Sequence, residues 1–306
     1  MVAVPLTERD VELVVVTYRS RAQLEGLLSG LSEDLPVVVV DNSDGVDGVD
    51  EVVSKRPRGR YLPGGGVGFA RAANLGARTS TAEYLVFLNP DIRPTDEVLA
   101  TLVQDVADDP TCAASAATRA DAAGRPQKNG GWEPSVGRAF THALGAHKVF
   151  RRAGLYATPR LDQPLAVDWV SGGCMAVRRE TFLSLGGFDE SFYVYCEDMA
   201  YGRAAREHGL TERLRTDVTF VGDAGGSGAP SLEMARLRGA AMTRYVRKHN
   251  PAAVALAINA VNAAGYAVRA AQLRLRGDRT TAQVCWAYVK GAVTARATVA
   301  GRVVTR

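Results

Sequence analysis

A chain of 306 residues is long enough to bury a full core, and to form one large α/β domain with an appendage or two smaller domains. With 46% hydrophobic and 23% charged residues, the composition is that of a globular protein and excludes a disordered one. The net charge of +4 conceals an asymmetry: residues 230–306 carry thirteen lysines and arginines against Glu233 and Asp278, a balance of +11 that leaves −7 for residues 1–229.

The first strand is expected at Leu13–Thr17, a short β-branched run, followed by a helix marked by Leu24, Leu27, Leu28 and Leu31 at helical spacing. Val37–Val40 reads as a second, buried strand that ends abruptly in Asp41-Asn42-Ser43. Arg60–Leu62 is a third. The glycine-rich turn Gly64–Gly68 precedes a helix over Phe69–Arg78, and Glu83–Leu88 is the fourth strand. Thr95 is the expected N-cap of the next helix, with Asp96 and Glu97 in its first turn and Leu99, Leu102, Val103 and Val106 on its buried face. This alternation implies a parallel sheet with right-handed crossovers, so residues 1–110 read as a nucleotide-binding half.

Residues 112–165, which include Trp132, Phe140 and Tyr156, have an irregular pattern and read as an acceptor-side loop or lid. Asp168–Val177 reads as a glycine-bearing loop that runs into a strand, Gly186-Gly187 as a helix-ending turn, and Glu197-Asp198 as the start of a helix reaching His208-Gly209. In the basic tail, Leu232–Ala241 and Ala252–Val268 suggest two helices. The second contains Asn259 and Asn262 and is too alanine-rich to span a bilayer. Met1–Asp10 has neither a basic stretch nor an apolar signal core, so a cytosolic chain without a spanning helix is expected. The four cysteines, Cys112, Cys174, Cys196 and Cys285, are far apart, which argues against zinc and against a disulfide framework.

Two clusters carry chemistry. Asn89-Pro90-Asp91 brings a carboxylate to the carboxyl end of a buried strand, where open α/β sheets collect ligands, although the same tripeptide also makes an ordinary turn. Thr17, Tyr18 and Asp41 close neighbouring strands, and Asp41 is placed either to accept from a base N–H or ribose hydroxyl or to cap its own turn. Gly68 belongs to a flexible turn that lets backbone approach a nucleotide, and Arg71 and Asn74 on the following helix are placed either to face the same crevice or, as is commoner for an arginine, to lie on the surface. In the second half, Glu197 and Asp198 suit a helix amino terminus on dipole grounds alone. They equally suit a general base whose basicity is tuned by partial burial.

In order, Val-Val-Thr-Tyr ending at Tyr18, Val-Val-Asp-Asn-Ser (39–43), Gly-Val-Gly-Phe-Ala-Arg-Ala-Ala-Asn (66–74), Asn-Pro-Asp (89–91), Val-Ser-Gly-Gly-Cys (170–174), Gly-Gly-Phe-Asp-Glu (186–190) and Glu-Asp (197–198) resemble the inverting glycosyltransferases of family 2, among them the bacterial rhamnosyltransferase-like members. The resemblance runs from Val11 to Ser227. It implies a GT-A fold: an α/β domain over 1–229, with a Rossmann-like, mostly parallel nucleotide-sugar half (1–110) and an acceptor half (111–229), followed by basic C-terminal helices over 230–306. It also implies that Thr17, Tyr18 and Asp41 hold the nucleoside and that Asp91 ligates Mg²⁺ or Mn²⁺ as the acid of a DxD-like motif whose first position is Asn89; with Gly68, Arg71, Asn74 and Asn89 these make up the expected donor-nucleotide site. Asp198 is then the catalytic base, with Glu197 beside it, and Trp169, Ser171 and Gly172 line the acceptor site.

The chain departs from that pattern in one place. Many family members carry a histidine before the Gly/Ser loop that follows the last core strand, and here the segment is Phe220-Val221-Gly222-Asp223. Asp223 stands at or next to that position, and a carboxylate is a good ligand for a hard cation. The implied partners are a dTDP- or UDP-sugar donor, dTDP-rhamnose by resemblance, and a polyprenyl-diphosphate-linked or other glycan acceptor. The basic residues of the tail lie among Ala, Val and Leu and not among stacking aromatics, which argues against nucleic acid. They suit an anionic membrane surface at the inner face of the plasma membrane, the alternative being a solvated face on helices packed against the body or a dimer partner. Two other classes compete with the transferase. A nucleotidyltransferase would need a basic triphosphate loop, which Val14–Arg21 lacks. A catalytically inactive relative that binds sugar nucleotides would account for the missing histidine but not for the retention of Asp91 and Asp198.

Overall fold

The strand β1 (Val11–Thr17) and its neighbour β2 (Val37–Asp41) are buried along their whole length, as β-branched runs are when helices cover both faces of a parallel sheet. The computed structural model describes residues 6–121, 123–150, 152–157, 163–222, 231–299 and 302–304. They divide into two units, one spanning 1–131, 158–190 and 198–228, the other 132–157, 191–197 and 229–306.

In the first unit α1 (Arg21–Leu28) joins β1 to β2 and buries Leu24, Leu27 and Leu28. The chain continues through α2 (Val49–Ser54), β3 (Gly59–Pro63), α3 (Phe69–Thr79) and β4 (Tyr84–Leu88). These four strands are parallel in the order β3-β2-β1-β4, with Thr17 opposite Asp41, Asp41 opposite Pro63 and Val15 opposite Leu88. Their carboxyl ends therefore share one edge of the sheet. After the short β5 (Ile92–Arg93), the hydroxyl of Thr95 accepts from Val98 N–H at 3.4 Å and caps α4 (Asp96–Asp108), as the sequence predicts.

Beyond α4 the sheet is mixed. Cys112–Ala120 forms β6, which corrects the expectation of an irregular segment from residue 112. Its run of Ala, Ser and Thr has weak strand propensity. Pairing on both sides, antiparallel to the strand Cys174–Arg178 and parallel to the strand Thr211–Gly222, overrides that propensity and buries nearly every residue. The short β7 (Gly130–Gly131) is followed, in the second unit, by α5 (Val136–Ala143). Back in the first unit come β8 (Leu165–Val167), β9 (Trp169–Val170), β10 (Cys174–Arg178) and α6 (Arg179–Ser184). Gly186 and Gly187 then turn the chain at φ of 90° and 68°, values open to glycine at little cost. Helix α7 (Glu197–Glu207) leads to the long β11 (Thr211–Gly222). β10 lies between β4 and β6 and antiparallel to both, and among the described residues the sheet has nine strands. The four cysteines are buried and unbonded to one another.

The second unit is helical: α5, α8 (Ser231–His249), α9 (Ala252–Leu275) and α10 (Arg279–Thr294), with a hairpin of β12 (Thr298–Val299) and β13 (Arg302–Val303). α9 runs past the expected end at Val268 because Arg269–Leu275 holds no helix breaker, and α10 is capped by Asp278, whose side chain accepts from Thr281 N–H at 3.0 Å. α8 and α10 meet at glycines: a Cβ on Gly291 would strike the carbonyl of Arg236, and one on Gly239 the carbonyl of Tyr288. Both neighbours are backbone and cannot swing aside. Gly291→Ala is expected to destabilise this unit by about 1–3 kcal/mol, read as a lower melting temperature, whereas Gly277→Ser, in open space, carries only the penalty of its positive φ.

Candidate active site

The carboxyl end of β4 is joined to the loop before β10 by antiparallel pairing. Asn89 N–H donates to Gly173 O at 2.8 Å, Gly173 N–H to Ser171 Oγ at 3.4 Å, and Ser171 N–H to Asn129 O at 3.0 Å. The glycines here are required by close approach. A Cβ on Gly173 would lie 2.9 Å from Asn89 Nδ2, and one on Gly172 would lie 3.2 Å from Phe188 Cζ. Phe188 packs with Phe69, Phe87, Phe182 and Tyr201 in an aromatic cluster beneath this loop. Ser171, Gly172 and Asn89 are thus brought together, next to Asp91.

Asp91 is 9% exposed at the start of the turn into β5. β5 pairs with the end of β11, Gly222 opposite Ile92, so the last residue of β11 sits against the backbone of Asp91. Asp223 is the next residue in sequence and lies outside the described residues. Among the described residues no group of three or more His, Cys, Asp or Glu forms a ready-made metal cage. Asp91 offers one carboxylate at this position, and Mg²⁺ or Mn²⁺ in a diphosphate site takes one or two carboxylates and fills the remaining positions with phosphate oxygens and water.

At the ends of β1 and β2, Asp41 is fully buried and organises its own loop. Its Oδ1 accepts from Ser43 N–H at 2.9 Å, Ser43 Oγ at 2.6 Å and Thr17 Oγ1 at 3.2 Å; its Oδ2 accepts from Gly45 N–H at 2.7 Å and Tyr61 OH at 3.2 Å. Five donors fill the roughly four lone-pair sites of a carboxylate, so of the two roles open to Asp41 in the sequence, its bonding is that of the turn cap. Burial alone would raise this carboxyl, yet the hydrogen bonds from Ser43, Gly45 and Thr17 hold it below its ordinary value. Burial, and then the charge of Asp41, push the Tyr61 hydroxyl up to about 12. Tyr18 is half-buried beside this loop. Asn42 Nδ2 donates to Gly68 O at 3.2 Å, which ties the loop to the glycine turn, where Gly65, Gly66 and Gly68 have φ of 69°, 65° and 95°.

Asn74 is placed differently from the expectation. It is 1% exposed, and both ends of its amide are committed to protein: Nδ2 donates to Phe188 O at 2.7 Å and to Glu190 Oε1 at 3.1 Å, and Oδ1 accepts from Phe188 N–H at 2.9 Å. It clips α3 to the Gly187–Glu190 turn and does not open into a crevice. Arg71 is exposed and lies 3.7 Å from Glu190 Oε2 on the same patch.

Glu197 and Asp198 open α7, as predicted from the sequence. Tyr195 and Cys196 immediately before them have φ of 71° and 69°, a left-handed conformation rare outside glycine. Asp198 is half-buried, its Oδ1 accepting from Met199 N–H at 2.8 Å. One turn on, Gly202 lets α7 sit directly on the backbone of Asp168 and Trp169, where any Cβ would collide. Arg206 of the same helix donates to Asp168 O and lies 3.8 Å from its carboxylate. The segment Asp168–Gly173 is therefore fixed at one end by the helix that starts with Asp198 and at the other by the end of β4. Behind it stands a residue that the sequence reading passed over, Glu212, whose carboxylate accepts from Val170 N–H at 2.6 Å. The alternation in β11 was a usable signal, because it puts Glu212 on the inward face with Leu214 and Thr216.

Comparison with known proteins agrees with this architecture. Residues 12–185, more than half of the chain, match the model described as "Glycosyl transferase family 2". The N-acetylglucosaminyl-diphospho-decaprenol L-rhamnosyltransferase of Mycobacterium tuberculosis H37Rv is 29% identical over 210 residues, covering 62% of this chain and 68% of that protein. Rhamnosyltransferase WbbL of Escherichia coli K12 is 25% identical over 202 residues, covering 62% and 74%. Among solved structures, the mannosyltransferase PcManGT of Pyrobaculum calidifontis, in complex with GDP-Man and Mn²⁺, superposes with a TM-score of 0.59 at 20% identity over 95% of this chain and 88% of that one. GalNAc-T7 with UDP, GalNAc and Mn²⁺ does so with a TM-score of 0.51 at 14% identity over 82% and 54%. These two likenesses speak to the fold, an α/β fold of GT-A type with added C-terminal helices. The chain belongs to glycosyltransferase family 2.

Proposed function

We propose that the chain is an inverting glycosyltransferase that moves L-rhamnose from dTDP-rhamnose to a hydroxyl of a polyprenyl-diphosphate-linked sugar, with Mg²⁺ or Mn²⁺, at the cytoplasmic face of a membrane. The observation that carries the reading is the Asp168–Gly173 segment, held between the end of β4 beside Asp91 and the helix that starts with Asp198. Support for the donor and acceptor comes from the two rhamnosyltransferase relatives, one of which is named for a diphospho-decaprenol acceptor.

In this reading Thr17, Tyr18 and the Asp41 loop receive the nucleoside, while Asn89 and the Gly64–Gly68 turn approach the diphosphate. Asp91, with Asp223, holds the cation. When bound, the cation neutralises charge that grows on the departing diphosphate. Trp169, Ser171 and Gly172 position the acceptor. Asp198 takes the proton from its hydroxyl as that oxygen bonds to the anomeric carbon from the face opposite the diphosphate. The bond to the nucleoside diphosphate breaks in the same displacement, so configuration inverts and no second nucleophile is needed. Transfer from dTDP-rhamnose to a prenyl-diphosphate-GlcNAc, followed by mass spectrometry, tests the assignment. Transfer from a different nucleotide sugar would replace the donor, and no transfer to any acceptor would favour the inactive-relative reading.

The membrane part of the proposal rests on the helical unit. Contrary to the expectation that its alanines rule out a span, α9, extended to Leu275, is long and apolar enough to cross a membrane by length and composition, with 22% of its apolar window buried. Its outer face presents Leu256, Ala260, Ala264, Val268 and Leu275 at helical spacing, Leu256 being 69% and Val268 57% exposed. Phe140, Leu144 and Phe150, also exposed, lie on or just after α5, which packs on α9. Exposed Arg269, Arg274 and Arg276 accompany this face. An apolar stripe flanked by cations suits a helix lying in an anionic interface. Leu256→Glu with Val268→Glu is expected to reduce co-sedimentation with anionic vesicles by about tenfold while circular dichroism is unchanged; unchanged sedimentation would remove the membrane from the proposal.

A further inference from the structure

Glu212 is a carboxyl sealed inside the first unit. It is 1% exposed, in the second position of β11, opposite Val167 of β8 and Ala114 of β6. Its Oε2 accepts from Val170 N–H at 2.6 Å, and among the described residues its Oε1 has no hydrogen-bond partner. The charged and titratable groups that face it are Asp198, Tyr201 and Arg206 of α7, Asp168 before β9, and Cys112 of β6. The Arg206 guanidinium is engaged by Asp168, and Tyr201 OH donates to Ala113 O at 3.0 Å.

An ionised carboxylate in such a place has lost its water and carries a single backbone donor, an arrangement far costlier than a neutral acid making the same bond. Burial pushes the Glu212 carboxyl well above the usual carboxylate range, and the neighbouring charge of Asp198 pushes it the same way. Two acids in one neighbourhood divide their labour when their surroundings differ. Asp198 is half-buried where Glu212 is sealed in, so Glu212 is the acid whose surroundings favour the protonated form.

We propose that Glu212 is a positioning residue for the transfer, a neutral carboxylic acid that grips Val170 N–H from behind and so fixes the Trp169–Gly172 wall relative to Asp198. This rests on the reading of that wall as the acceptor side. The backbone bond sets where Ser171 and Gly172 stand. A proton held on Glu212 keeps a second negative charge away from Asp198, the residue read as the proton acceptor.

Two variants separate the parts of the claim. Glu212→Gln keeps an acceptor for Val170 N–H and copies the neutral acid in shape; Glu212→Met keeps the volume and removes the acceptor. With dTDP-rhamnose and prenyl-diphosphate-GlcNAc as substrates, Glu212→Gln is expected to hold kcat within about threefold of the unaltered protein, and Glu212→Met to raise the acceptor KM about tenfold or more with the donor KM within about twofold. The alkaline fall in activity that ionisation of Glu212 would cause is expected in the unaltered protein and absent in Glu212→Gln.

Stability gives a readout independent of turnover. A carboxyl raised on folding contributes stability that is complete below its unfolded value and declines as pH rises toward its folded value. Glu212→Gln is therefore expected to gain melting temperature over the unaltered protein between about pH 5 and pH 8 and to lose that margin near pH 4. The proposal is overturned if Glu212→Gln loses activity as severely as Glu212→Met, if Glu212→Met raises both KM values together or neither, or if the melting-temperature margin does not change with pH. Absence of transfer by the unaltered protein would instead remove the glycosyltransferase reading, and the pH series would still report whether Glu212 holds its proton.

Discussion

Asp198→Asn is expected to lower kcat by about 10²- to 10⁴-fold, the usual weight of a positioned general base, while the melting-temperature rise produced by dTDP with Mn²⁺ is retained. The substitution keeps the shape of the first turn of α7 and retains an oxygen to accept from Met199 N–H, now 2.8 Å from Asp198 Oδ1. It removes only the capacity to take a proton. Glu197→Gln separates the two acids of that turn: Glu197 is buried where Asp198 is half-buried, so turnover is expected to fall far less. Were Asp198→Asn to turn over normally and Glu197→Gln to lose turnover, the base assignment would pass to Glu197.

Asp91→Asn carries the second large effect. Asp91 follows the end of β4 with its backbone against Gly222 of β11, and on the proposed reading exchanging its carboxylate for an amide removes the hard, charged ligand that a divalent cation requires. A ligand at about 100 times its dissociation constant adds roughly 2.7 kcal/mol to stability. In the unaltered protein most of that gain with dTDP is expected to need Mn²⁺, and in Asp91→Asn the melting-temperature shift should be the same with and without the metal. Isothermal titration of Mn²⁺ with dTDP gives the same comparison directly. A metal-dependent shift that survives in Asp91→Asn would place the cation on other residues.

The parallel half of the sheet was legible because its strands are uniform β-branched runs and its helices carry plain apolar faces, as Val37–Val40 and Leu99–Val106 illustrate. β6 was not, since Cys112–Ala120 becomes a strand through two long-range pairings that no local pattern records. The direction of β10 was likewise hidden: Cys174-Met175-Ala176-Val177 reads as a strand, but only the fold shows it antiparallel to β4.

For the site, the motifs mark loops that the fold gathers at the strand ends, and within them some side chains bond to the protein itself. Asp41 and Asn74 both sit at the expected turns, yet their polar atoms are consumed by Ser43, Gly45 and Tyr61 in one case and by Phe188 and Glu190 in the other. A motif marks where the backbone must take a special shape, and an Asp or Asn there is as apt to build the shape as to meet a ligand. Glu212 escaped for the opposite reason. It stands in Thr-Glu-Arg-Leu-Arg-Thr, where a charged residue among arginines looks solvated, while alternation turns it inward and sends Arg213 and Arg215 to Asp105 on the other face.

The central claim is that the end of β4 and the start of α7 together perform one inverting displacement. The most direct test is to supply dTDP-rhamnose, a prenyl-diphosphate-GlcNAc and Mn²⁺ to the full chain and to determine the anomeric configuration of the new linkage by nuclear magnetic resonance. The account predicts a product whose anomeric configuration is opposite to that of the donor, formed only with the divalent cation and lost in Asp198→Asn. A product that retains the donor configuration, or one formed equally well by Asp198→Asn, would contradict it.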